Sequence, residues 1–188
     1  MILGTHQHSH FYRTPRALWL CVLSLWLLAP LARADSESDV KAAYLVNFAK
    51  LVDWPASAFP SGKSALIIGI VGRGSVGDEI ARAVAGTSAN GHPIEARRVS
   101  AGDGGAMAAC HVLFVLESER GDAVASAVQG RPVLVVGEAE DFARRGGAIG
   151  FAKEGGTLKF EANPKAAARN GLAVSARLLR SARAVIDK

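Results

Sequence analysis

The chain has 188 residues, 49% of them hydrophobic and 21% charged, a globular composition that excludes a disordered or low-complexity protein. Its 22 basic and 17 acidic residues give a formal charge of +5. Three of the arginines (Arg13, Arg16, Arg33) lie in the first 34 positions, so the remainder carries 19 basic against 17 acidic residues, or +2. That balance does not mark a nucleic-acid partner.

The start reads as an export signal. Arg13 and Arg16 precede the apolar stretch Ala17–Ala29, and Ala32-Arg33-Ala34 supplies small residues where a signal peptidase cleaves, so residues 1–34 are expected to be removed. This thirteen-residue stretch is too short for a spanning helix, which needs about 20 apolar residues. His6, His8 and His10 resemble a metal cluster but leave with this leader. Of the two cysteines only Cys110 then remains, so no intramolecular disulfide is available.

In residues 35–188, Ser36 and Ser38 can cap a helix whose apolar residues recur at Val40, Tyr44, Phe48, Leu51 and Val52, ending at Trp54-Pro55. Four Val/Ile/Leu-rich runs follow: Ala65–Val71, Pro93–Val99, His111–Glu117 and Pro132–Val136. Helical or turn-rich pieces separate them at Val76–Ala85, near Ala106 and at Asp122–Val128. Such alternation predicts a parallel sheet covered on both faces. Ala148–Ala152 and Thr157–Ala162 around Lys153-Glu-Gly-Gly156 predict a β-hairpin, and Asn163-Pro164 starts a short helix that Gly171 stops. Leu172 to Ile186 is expected to form a last amphipathic segment. The fold class expected is α/β: one sandwich-like domain with a mostly parallel central sheet flanked by helices, and a C-terminal β-hairpin plus helix.

Gly72-x-Gly74-x-x-Gly77 follows a predicted strand and leads into a helix, the layout of a dinucleotide-binding turn. The spacing alone is weak with glycine at 20 of 188 positions, and the next strand ends in Arg97-Arg98 where an acid should grip the ribose. Gly72 and Gly74 are therefore expected to make a tight turn, and Gly77 to let the helix pack closely. A possible anion loop at Gly72, Gly74 and Gly77 is the minor alternative. Cys110 and His111 are neighbours on a strand and point to opposite faces, so they form no catalytic dyad. Glu117, Glu119, Glu138, Glu140 and Asp141 gather after strand ends, where solvated acids are common. No catalytic set, cofactor site or metal site emerges, and the protein is expected not to be an enzyme.

The blocks KAAYLVNFAKLVDWP, NGHPIEARRV, CHVLFVLESE, GRPVLVVGEAEDFARRGGAIGF, LKFEANPKAAARNGL and SARLLRSAR occur in that order. Together they resemble the YfiR family of periplasmic proteins along essentially all of residues 35–188. The resemblance implies a negative regulator. It would bind the periplasmic region of an inner-membrane diguanylate cyclase and repress cyclic di-GMP synthesis, and with it biofilm formation. An outer-membrane OmpA-like lipoprotein would sequester it, and it would form a homodimer. Relatives that sense redox state use paired cysteines, a feature Cys110 lacks here.

A regulator of this kind needs a contact surface, for which apolar groups rimmed by charge are the usual material. Two segments offer them: Phe142 with Arg144 and Arg145, and the last helix with Arg177, Leu178 and Arg180. The competing reading of both is ordinary packing, with Phe142 and the leucines in the core. The alternative function is a periplasmic small-ligand sensor with a pocket at the sheet's carboxyl edge, near Gly72–Gly77 and Glu117–Glu119.

Overall fold

The computed structural model describes residues 36–187, so the expected export signal, with His6, His8, His10 and Cys21, lies outside the described residues. Helix α1 (Glu37–Lys50) begins with a reciprocal cap: the Ser36 side chain accepts from Asp39 N–H, and the Asp39 carboxylate accepts from Ser36 N–H. It stops one turn before the predicted proline boundary. Leu51 caps it, and Val52–Asp53 (β1) pair antiparallel with Ala173–Val174 (β9). The face it buries is also rotated from the expected one: Lys41, Ala42, Leu45, Phe48 and Ala49 are buried, whereas Val40 and Tyr44 are half-buried.

The four apolar runs become β2 (Leu66–Val71), β4 (His92–Val99), β5 (Val112–Val115) and β6 (Leu134–Gly137). Between them lie α2 (Ser75–Val84), the short β3 (Ser88–Ala89), α3 (Gly104–Ala108) and α4 (Gly121–Ala127). The predicted hairpin is β7 (Ile149–Glu154) and β8 (Thr157–Ala162), and α5 (Pro164–Arg169) starts at Asn163, whose side chain accepts from Ala166 N–H. The last segment is not one helix. Its amphipathic stretch is divided among β9, α6 (Ala176–Ser181) and β10 (Ala184–Val185), because strand pairing to β1 and β8 outcompetes continued helix.

Among the described residues, eight strands form one sheet in the order β10-β8-β7-β6-β5-β2-β4-β3. Strands β4, β2, β5, β6 and β7 are mutually parallel. The hairpin extends this sheet, with β8 antiparallel to β7, and does not stand apart from it. The α/β expectation therefore holds. Strand alternation splits the core in two. Ile68, Ile70, Phe114 and Val136 face α1, α2, α5 and α6, while Val71, Leu113, Val115 and Val135 face α3 and α4. Because β4 and β5 flank β2 on opposite sides, the chain reverses direction there. The carboxyl ends of β2 and β5 form the crevice in which open α/β sheets place their ligands.

Candidate functional site

The carboxyl end of the sheet carries the charged groups. Lys41, on the sheet-facing side of α1, is only 8% exposed. Its ammonium donates to Glu138 Oε2 at 2.6 Å, just beyond β6, and lies 2.9 Å from Glu37 Oε1 one turn back. Burial works against the charged form, but the bonds to Glu138 and Glu37 outweigh it and hold the Lys41 pKa above the ordinary lysine value. Glu37 in turn takes Lys153 of the hairpin at 2.7 Å, and its carboxyl is held below the usual range by the bonds to Lys153 and Lys41. Glu138 also accepts from Glu117 N–H at 3.1 Å, joining the loops after β5 and β6.

A second group of charges lies on the hairpin side. Glu161, 6% exposed, accepts from the Arg183 guanidinium at 2.8 Å and has Arg144 at 3.7 Å. Arg144 is shared with Asp141 at 3.3 Å. Between the two groups opens a cavity of about 570 Å³. Glu37, Lys41, Glu117, Glu138, Glu140, Glu161 and Arg183 surround it over an apolar floor of Val76, Phe151 and Leu158. A neighbouring recess of about 470 Å³ lies between Gly72–Gly74, Arg98 and Glu119.

The glycine turn has a structural explanation. Gly72 (φ +119°) and Gly74 (φ +135°) take backbone conformations that side chains rarely adopt. A Cβ on Gly77 would sit 2.9 Å from the Ile70 side chain. The turn is strapped by Arg98 of β4, which donates to Gly72 O at 2.8 Å and Gly74 O at 2.6 Å and pairs with Asp78 at 2.7 Å. The arginine that stood where a ribose-binding acid should be thus fastens the loop it follows.

The expected contact residues separate into two kinds. Phe142 is corrected to core: it is 3% exposed and fills a socket walled by Gly121, Gly137 and Gly147, where any Cβ would overlap its ring. Leu178, 1% exposed, is core as well. Arg144, Arg145, Arg177 and Arg180 are exposed. The two segments are linked through Glu161, which the first reaches with Arg144 and the second with Arg183. Sequence reasoning missed Lys41, Glu37 and Glu161. The available signal for Lys41 was its spacing to Leu45 and Phe48 on one helical stripe.

Cys110 is buried, its thiol donating to Ala106 O at 3.3 Å, and burial raises its pKa while nearby Arg97 opposes the shift. It packs in the α3/α4 core, whereas the His111 ring stacks on Phe59 at the opposite face.

A family model described as YfiR/HmsC-like matches residues 38–183, nearly the whole of the described domain. No curated protein matches the chain in sequence.

Proposed function

The chain belongs to the YfiR/HmsC-like family, and from that premise we propose that it is a periplasmic negative regulator of an inner-membrane diguanylate cyclase. It binds the cyclase's periplasmic region, restrains cyclic di-GMP synthesis and so limits biofilm formation. It works by contact and not by catalysis, as a homodimer, and an outer-membrane OmpA-like lipoprotein withdraws it from the cyclase. Residues 1–34 are its cleaved export signal.

The family match over residues 38–183 carries this reading. The exposed Arg144, Arg145, Arg177 and Arg180, with Arg144 and Arg183 meeting at Glu161, support a charged contact patch on the hairpin side. Deleting the gene while the cyclase is expressed tests it: cellular cyclic di-GMP rises, and unchanged levels overturn the assignment. Arg144→Glu with Arg145→Glu, in a protein that still folds, weakens co-purification with the cyclase. A patch on some other face leaves co-purification intact.

One observation favours a second reading, a small-ligand sensor. The cavity of about 570 Å³ is of ligand size and lies where parallel sheets bind ligands. A saturable rise in melting temperature with one metabolite, lost in Lys41→Met, distinguishes this reading.

A further inference from the structure

At the amino ends of the strands, the segment between β1 and β2 folds back and is gripped by rings. Phe59 lies flat between two imidazoles, with ring centroids 3.9 Å from His92 at 13° and 4.5 Å from His111 at 15°. Trp54 closes the group edge-on, 5.9 Å from His111. Each imidazole also takes a carbonyl of the same segment: His92 Nδ1 lies 2.7 Å from Ser64 O, and His111 Nε2 2.9 Å from Ala58 O. A carbonyl can only accept, so both of these nitrogens carry hydrogen.

For His111 the other nitrogen is determined too. Nδ1 sits 3.0 Å from Ile67 N, and a backbone N–H can only donate, so Nδ1 is bare. The surroundings therefore specify one neutral tautomer, with hydrogen on Nε2. We propose that His111 is a pH-sensitive latch, which when neutral fastens residues 54–64 to β2 and β5 and when protonated releases them. A proton on Nδ1 would set one N–H against another at Ile67. The ring must then leave, and the Ala58 bond and one wall of the Phe59 slot go with it. His92 meets no such conflict, because its bonded Nδ1–H is unchanged when the other nitrogen is protonated.

The electrostatics point the same way. His111 is 7% exposed, and burial lowers its pKa, with His92 and Arg97 of β4 adding to the effect and the Ala58 bond opposing it. The other groups packed on it are neutral: Ile67 from β2, Leu134 N–H from β6 on its carbonyl, and Trp54, Ala58 and Phe59 from the segment. The charged residues at the segment's ends, Asp53 and Lys63, are exposed. A histidine whose closed-state pKa is lowered binds its proton more tightly once opened. The opening constant therefore rises toward tenfold per pH unit below the ordinary value of about 6.5, until the closed-state pKa is reached. Release uncovers Trp54 and Phe59 beside Val52 and Leu66, giving an apolar surface that appears on acidification.

The test is amide hydrogen exchange on the full chain from pH 7.5 to 5.0, corrected for intrinsic rates. The Ile67, Ala58 and Phe59 amides are followed against Phe114 in the core. The expected result is a rise in opening at the first three approaching tenfold per unit below about pH 6.5, with Phe114 unchanged. His111→Gln, which keeps a donor and an acceptor without titrating, flattens the response, and His92→Gln preserves it. A flat profile in the unmodified chain, or the same slope in His111→Gln, overturns the latch. Should that variant fail to fold, imidazole nitrogen shifts of the unmodified chain decide. Hydrogen on Nδ1 of His111 at pH 7.5, or its titration without loss of Ile67 protection, refutes the proposal, and the Nε2–H form titrating together with that loss supports it.

Discussion

The two ends of the parallel sheet are fastened by different means. At the carboxyl end, Lys41, Glu37, Glu138 and Lys153 tie α1 to the strand ends and the hairpin, and Arg183 and Arg144 hold Glu161. At the amino end, stacked rings and neutral hydrogen bonds hold residues 54–64. Ion pairs tolerate any pH at which both partners stay charged, whereas a buried neutral imidazole fails as soon as protonation becomes favourable. The ends should therefore respond to different parts of the pH scale. Glu37, with its lowered pKa, contributes stability that is present above the ordinary carboxylate range and fades as pH falls through it. Lys41, with its raised pKa, contributes below the ordinary lysine value and is lost as pH rises past it. Between pH 7 and 5 only the amino end should loosen.

Several substitutions would break or sharpen this contrast. The largest effect belongs to a packing control at the carboxyl end: Phe142→Ala empties the glycine socket and should cost about 3–5 kcal/mol, measured by urea unfolding. A loss below about 1 kcal/mol would mean the socket collapses freely. Lys41→Met keeps the aliphatic stem but strands Glu138. It should cost about 2–3 kcal/mol at neutral pH, less than for a fully buried pair because Glu138 keeps some solvent. Its deficit at neutral pH is read by urea unfolding of the variant beside the unmodified chain. Phe59→Ala removes the ring between the histidines and should cost on the order of 1–2 kcal/mol, since Phe59 is only half-buried. It should also raise exchange at Ala58 already at pH 7.5. Arg144→Ala should change stability by less than about 1 kcal/mol, because the side chain is well solvated, so any loss of partner binding in that variant reports contact and not folding.

What the sequence revealed follows from how each element is held. Strands β2 and β5 were legible because burial on both faces writes unbroken runs, Leu66–Val71 and Val112–Val115, whereas β4 is buried mainly through Ile94 and Val99. The Asn163-Pro164 start and the glycine turn were legible because local backbone rules decide them. The stripe of α1 was misjudged because Lys41 counts as polar in any periodicity, yet Glu138, 97 residues away, makes it a buried residue. The break of the last amphipathic segment depends on β1 and β8, partners that no local pattern announces. Phe142 looked available because glycines and arginines surround it in sequence, and only in space do Gly121, Gly137 and Gly147 close on it. The joining of the two arginine segments through Glu161, and the enclosure of Phe59 by His92 and His111, likewise belong to the tertiary fold.

The small clip between β1 and β9 has a consequence for biogenesis. Val52 pairs with Val174, Ser175 N–H donates to Leu51 O at 3.0 Å, and β10 completes the rim of the sheet against β8. A polypeptide made amino end first cannot complete the packing around its opening helix until more than a hundred further residues have arrived, so the last native contacts wait on the late-synthesised strands. Such a chain stays unlocked through most of its elongation, the condition in which a threading machine or a chaperone can still handle it.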